Sequence, residues 1–363
     1  MDPLLVRAVL ARTPSLEAGH VQALLAAADG DAGRLLESRI VLQIGLPPPA
    51  QGYLMFPDEA ATQADLAWIL ASGTQLLLST DAAYPPQLLC QPHAPAVLFV
   101  LGDVHLLQCR QLAMVGARSP TPAGCRAAHE FAAAFARAGL IVTSGLALGI
   151  DAASHAGALR AGGATLAVCA TGLDRVYPTQ HIGLAARIRA NGALVSQFPP
   201  RTPPRRQNFP RRNRLLSALT LGTLVVEAAR LSGSLVTAAC ARGQQKPVFA
   251  IPGSIYNAVS AGCHKLIRAG ATLVENPAQV LAVLQIPVEE EQLVQQASAP
   301  AAAPALDKKY EMLLDAVGLE LVTPDVLAER TGMPVESVAS MLLILELEGR
   351  ISAHLGGRFG RIP

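Results

Sequence analysis

Six arginines fall within the fourteen residues RTPPRRQNFPRRNR (201–214), with Phe209 and Asn213 among them. Guanidinium groups neutralise phosphates, and an aromatic ring can stack an unpaired base, worth about 1–3 kcal/mol per base. Such a run suits recognition of a single-stranded polyanion. It sits in a longer interval, Arg175 to Val226, that holds nine Arg and no Asp, Glu or Lys. The candidate contacts are Arg175, Arg205, Arg206, Phe209, Arg211, Arg212, Asn213 and Arg214. The prolines between 199 and 210 argue against a regular helix there, so the run is expected to be a loop at a sheet edge.

Four glycine-bearing segments offer further anion sites. In VGARSPTPAG (115–124), Gly116 follows a strand and lets backbone approach a ligand, while Arg118 and Ser119 add a guanidinium fork and a hydroxyl near a helix start. In SGLALGID (144–151), Ser144, Gly145, Ala147 and Gly149 form a loop whose amides can face an anion, and Asp151 stands where a helix N-cap is expected. In VVEAARLSGSLVTA (225–238), Ser232, Gly233 and Ser234 open a helix. Glu227 there is a lone carboxylate, expected to be structural through a neighbouring Arg. In AIPGSIYNAVSAGCHKLI (250–267), Lys265 is a candidate anion contact, and His264 reads as a polar surface residue.

Catalytic and metal chemistry find little support. No paired carboxylate or Ser/His/Asp order stands out. Neither G-x-G-x-x-G nor G-x-x-x-x-G-K-[ST] occurs, so dinucleotide and P-loop readings are unsupported. The six Cys are scattered without C-x-x-C or zinc spacing, and Cys169 reads as a buried small hydrophobe. No catalytic residue, cofactor or metal is expected. MDPLLVRAVLARTP lacks the apolar run of a signal peptide, and the charge-free stretch 82–102 carries four prolines. A reduced, cytoplasmic protein with no membrane partner is expected.

The elements that must position these residues follow from apolar patterning. Residues 1–46 read as short helices, a small helical domain ended by Pro47-Pro48-Pro49. From 51 to 285, short apolar runs alternate with helical stretches. The strands are expected at 75–79, 96–102, 112–116, 140–145, 165–172, 193–197, 223–228, 247–253 and 272–275. That rhythm predicts an α/β fold with an extended, Rossmann-like, doubly wound parallel sheet, which binds ligands beyond the carboxyl ends of its strands. Residues 286–307 read as a linker. Residues 308–363 read as three helices and a glycine-bent hairpin, a winged-helix-like domain.

Charge follows these divisions. The 363-residue chain carries a formal +2. Residues 1–104 hold 4 basic and 10 acidic side chains, 105–285 hold 19 and 5, and 286–363 hold 6 and 12. A basic middle between acidic ends suggests a polyanion-binding core. With hydrophobic residues at 51%, wholesale disorder is excluded.

VGARS, SGLALGIDAASHAGAL, GLDRVYP, FPRRNR, VVEAARLSGSLVTA and AIPG…AGCHKLIRAGA resemble, in that order, the core of the DNA processing protein A family (DprA, also called Smf) across about 84–275. The resemblance implies a non-enzymatic protein of natural transformation that binds and protects incoming single-stranded DNA. It further implies help in loading the recombinase RecA and a homodimer through the Rossmann domain. Gly116, Arg118, the 144–151 loop, Phe209, Arg212, Asn213 and Arg214 match the family's binding motifs. Gln197 stands where an acidic residue is usual, His264 replaces a commoner Asn, and Gln245-Lys246 replaces a Gly-Arg-like pair. The alternative is a Rossmann-type nucleotide-processing enzyme similar to the nucleoside-monophosphate phosphoribohydrolases. Their P-G-G-x-G-T-x-x-E loop is absent here. The helix 335–349 is acidic and apolar, so the tail is expected to contact protein or restrain the core rather than enter a DNA groove.

Overall fold

A computed structural model describes residues 2–287, 308–317, 321–347, 350–354 and 356–361. The chain divides into two compact units, Met1–Val288 and Glu289–Pro363.

The first unit begins with helices α1 (Pro3–Arg12), α2 (Ala18–Ala27) and α3 (Ser38–Gln43). The triple proline does not end this layer. Pro47 caps a fourth helix, α4 (Pro48–Met55), whose first position tolerates proline because its N–H has no intrahelical partner. Helix α5 (Glu59–Ser72) follows. Val6, Leu10, Val21, Leu24 and Ile40 pack in one cluster with Leu76, Phe99 and Leu194 of the sheet. The chain therefore shows no break between compact units at residue 46.

Among the described residues the sheet has nine strands, in the order β1 (Gln75–Leu78), β2 (Val97–Gly102), β6 (Gly192–Ser196), β5 (Thr165–Val168), β4 (Ile141–Ser144), β3 (Gln111–Val115), β7 (Thr223–Val225), β8 (Val248–Ala250) and β9 (Thr272–Leu273). The β1–β2 and β2–β6 pairs are antiparallel. All the others are parallel. The expected strands are present; seven are shorter than their apolar runs, while β3 and β6 keep the expected length and begin one residue earlier. Both faces are covered. The connecting helices are α6 (Pro86–Leu89), α7 (Pro122–Arg137), α8 (Ile150–Arg160), α9 (Ile182–Asn191), α10 (Asn208–Leu219), α11 (Ser234–Gly243), α12 (Ala261–Arg268) and α13 (Pro277–Val283). The chain winds from β3 through β4, β5 and β6, then returns to place β7 on the other side of β3. That reversal opens a crevice beyond Val115 and Val225.

One expectation is overturned here. The FPRRNR run is not a loop: it forms the first half of α10. Pro210 is the third helical residue, where a backbone N–H is still unused, so it costs no hydrogen bond. Only the part preceding 208 is irregular. That loop is tied to the amino-terminal helices through Asp65, which is 1% exposed. Asp65 pairs with Arg12 and, at 2.8 Å, with Arg201.

The second unit is a winged helix with its own core, including Leu313, Val317, Leu327, Val338 and Leu342. It comprises α14 (Lys308–Val317), α15 (Pro324–Thr331), α16 (Val335–Leu347) and the antiparallel pair β10 (Ile351–His354) and β11 (Arg358–Arg361). Of the expected linker, 288–307 lie outside the described residues.

Candidate nucleic-acid interface

The crevice between β3 and β7 holds a cavity of about 470 Å³. Ten of the residues singled out in the sequence line it: Gly116, Arg118, Ser119, Ala147, Phe209, Arg212, Asn213, Ser232, Gly233 and Ser234. They come from three strand-end loops and one helix that are distant in sequence. Arg118 and Ser119 are exposed, ahead of the Thr121 cap of α7. The hydroxyls of Ser232 and Ser234 lie 2.7 Å apart where α11 begins and both residues line the cavity, while the first-turn amides of Ser234, Leu235 and Val236 are bonded locally, to Ser232 Oγ at 3.3 Å, Ser232 O at 3.1 Å and Gly233 O at 3.1 Å.

Phe209 sits between cations. The guanidinium carbons of Arg118 and Arg212 each lie 5.9 Å from its ring centroid. Tyr177, 45% exposed, meets the ring edge-on at 6.0 Å. The sequence reading gave Tyr177 no role. Its signal was present, an exposed aromatic inside the acid-free interval. Leu231, 98% exposed, also lines the cavity and was missed.

Two arginines counted together in the sequence have different roles here. Arg118 is exposed, while Arg212 is only 6% exposed. Its Nη1 donates to the carbonyl oxygen of Gly145 and, at 3.1 Å, to that of Val168. The Gly145 amide donates in turn to Asp151 Oδ2 at 3.1 Å, and the Ala147 amide donates to the same oxygen at 3.3 Å. The loop is thus clamped between a buried cation and a buried anion. Burial pulls the Arg212 guanidinium below its ordinary value, with Asp151 partly offsetting this. Burial pushes the Asp151 carboxyl up against Arg212 and the two amides.

This corrects the anion-loop reading. The amides of Gly145 and Ala147 already serve Asp151, and Asp151 is not the N-cap of α8. That position belongs to Gly149, at φ +78°, with Asp151 in the first turn. A methyl at Gly145 would overlap the Arg212 guanidinium. Gly116 is likewise small for packing, since a Cβ there would lie 2.6 Å from Ile150 Cγ1 and 2.8 Å from Glu227 O. Ser144 is buried and donates to Met114 O at 2.6 Å, so it is not available to a ligand.

Glu227, 7% exposed, is structural as expected, but its partner is not arginine. It accepts from Thr121 N at 2.9 Å and Thr121 Oγ1 at 2.6 Å, beside the start of α7, where a carboxylate is favoured by the helix dipole. His264 Nε2 lies 3.0 Å from Gly253 O and braces that loop.

The remaining candidates lie away from this cavity. Arg175 bonds Asp174 at 3.3 Å. Arg205 and Arg206 are exposed ahead of α10. Lys265 is exposed on α12 and does not line the cavity. Arg211 and Arg214 face the opposite side of α10. Among the described residues there is no cluster of His, Cys, Asp and Glu suited to a metal, and no helix long and apolar enough to cross a membrane. Cys169 is buried, which pushes its thiol up to about 12.

Residues 75–285 match the family model described as DNA recombination-mediator protein A, and 297–357 match the DprA winged helix domain. Protein Smf of Escherichia coli is 42% identical over 330 residues, covering 89% of this chain and 87% of that protein. DNA processing protein DprA of Bacillus subtilis is 39% identical over 207 residues, covering 57% of this chain and 70% of the relative. The structure of DNA processing protein A from Streptococcus pneumoniae superposes with TM-score 0.66 at 33% identity, covering 75% of this chain and 95% of that one. DNA processing protein A from Helicobacter pylori, whose single-stranded DNA binding mode has been described, superposes with TM-score 0.52 at 29% identity, covering 58% and 95%.

Proposed function

Because the chain belongs to the DNA recombination-mediator protein A family, we propose that it binds single-stranded DNA in the switch-point cavity, without chemistry of its own. It then protects the strand and delivers it to a recombinase such as RecA during DNA uptake, as a cytoplasmic homodimer joined through the Rossmann domain. The observation that carries the binding reading is the convergence of exposed Arg118, Phe209 and the α11 amino terminus on one cavity, with Tyr177 edge-on against the Phe209 ring. Phosphate finds a guanidinium and the hydroxyls of Ser232 and Ser234 there, and a base finds an aromatic ring. The structural neighbour from Helicobacter pylori, known for single-stranded DNA binding, supports the ligand class. The description of the matched family as a recombination mediator supports the delivery step. The phosphoribohydrolase reading needs an available strand-end carboxylate, whereas Asp151 and Glu227 are both committed to backbone amides and Thr121.

Arg118→Ala should weaken oligothymidylate binding about tenfold and flatten the salt dependence by about 0.7 in log–log slope, one phosphate's worth. Fluorescence anisotropy across a salt series measures both. The melting temperature should stay put, because Arg118 is exposed. Wild-type affinity in this variant would overturn the site assignment.

A further inference from the structure

We propose that a second cavity, on the far side of α10, holds a nucleotide further along the bound strand, beyond the reach of about four nucleotides seated in the first. Its phosphates would rest on Arg211 and Arg214 and its base against Leu16, Leu88 and Leu215. This rests on the single-strand reading above and extends the path of the strand beyond the switch-point crevice.

The helix itself divides the two sites. Residues three and four apart share a helical face. Phe209, Arg212, Asn213 and Leu216 therefore form one face, and all four line the switch-point cavity. Arg211, Arg214, Leu215 and Ala218 form the other, and all four line a separate cavity of about 330 Å³. Its remaining wall comes from the segment before α2 and from residues 91–95. Pockets of this size accept small organic ligands, with apolar walls for a ring and a few polar groups to orient it.

The charges at this second mouth favour phosphate. Arg211 lies with its guanidinium carbon 5.1 Å from the Phe198 ring centroid, a stacked position that leaves its N–H edge for an anion. Arg214 is exposed. Among the described residues neither arginine is ion-paired with a carboxylate. The one acidic side chain in the lining, Glu17, is paired within the wall: its Oε1 lies 2.6 Å from Nδ1 of His93, which lines the same cavity. The two cavities share no lining residue and meet only across α10, so a strand reaching both crosses that helix.

The test compares oligothymidylates of about four and about twenty nucleotides, bracketing the range that single-strand modules occupy. The double variant Arg211→Ala/Arg214→Ala should bind the short strand within about twofold of wild type. It should bind the long one about tenfold more weakly, with a salt slope lower by about 1.4, two phosphates at about 0.7 each. Gln91→Trp, which fills the cavity without removing charge, should show the same length-selective loss. Equal weakening of both lengths, or of neither, overturns the second cavity. Arg118→Ala in parallel separates the two claims. If it weakens both strands while the double variant weakens neither, only this inference falls. If it weakens neither, the single-strand reading itself falls.

Discussion

Arg212→Met should cost the first unit about 3–5 kcal/mol of stability, the scale for stranding a buried charge, and should abolish single-strand binding with it. In a protein of this size that corresponds to a fall of roughly 10 °C in melting temperature. The side chain is 6% exposed and spans two strand ends through the carbonyls of Gly145 and Val168. Removing the guanidinium leaves both carbonyls without that donor and Asp151 buried without its cation. Gly145→Ala should produce the same pair of losses without touching any charge, because its methyl occupies the place of the guanidinium. Circular-dichroism melting and anisotropy measured well below the transition distinguish this from Arg118→Ala, which should lose affinity alone. An Arg212→Met protein that melts like wild type would sink the clamp.

Acid should unfold the protein through His155. This side chain is fully buried on α8, with Nδ1 2.8 Å from Thr165 Oγ1 and Nε2 without a partner. Burial, with His181 and Arg212 adding to it, pulls the imidazole down from 6.5 to about 3. The folded state thus refuses a proton that the unfolded chain accepts. Stability is intact above pH 6.5 and is lost as pH falls toward 3, at about 1.4 kcal/mol for each unit well inside that window. His155→Asn keeps a polar atom where Nδ1 stands and removes the titration. The melting temperature of wild type should drop relative to the variant as pH falls from 7 to 4. A gap that does not change with pH refutes this origin of acid lability.

The sheet was legible because fully buried parallel strands read as short apolar runs that end in glycine. MVG, VTSG and AVCATG are such runs. Their order was not legible, since pairing is decided by which helices fit between which strands. The cavity lining was largely legible for the same reason the strands were: each candidate outside α10 sits beyond a strand's carboxyl end. The misreadings came from interactions that sequence distance hides. The amides of the 144–151 loop looked free because nothing local shows Asp151 turning back on them. FPRRNR looked like a loop because the four prolines before it and Pro210 were weighed alike, although Pro210 falls in the first turn, where it is harmless. The amino-terminal helices looked like a separate module because their apolar residues do not announce that they cover β1, β2 and β6.

The ridge that α10 forms between the two cavities has a mechanical consequence. With its side chains an α-helix is about 10–12 Å across, and a strand engaged on both sides must bend over that distance. Single-stranded nucleic acid bends at each nucleotide. Duplex DNA keeps its direction for about 150 base pairs, so it cannot follow such a turn without kinking. Discrimination between the two forms would then come from stiffness, with no base or sugar needing to be read. A nick or gap in a duplex would supply the missing hinge, and such discontinuities would be the places where double-stranded molecules become acceptable.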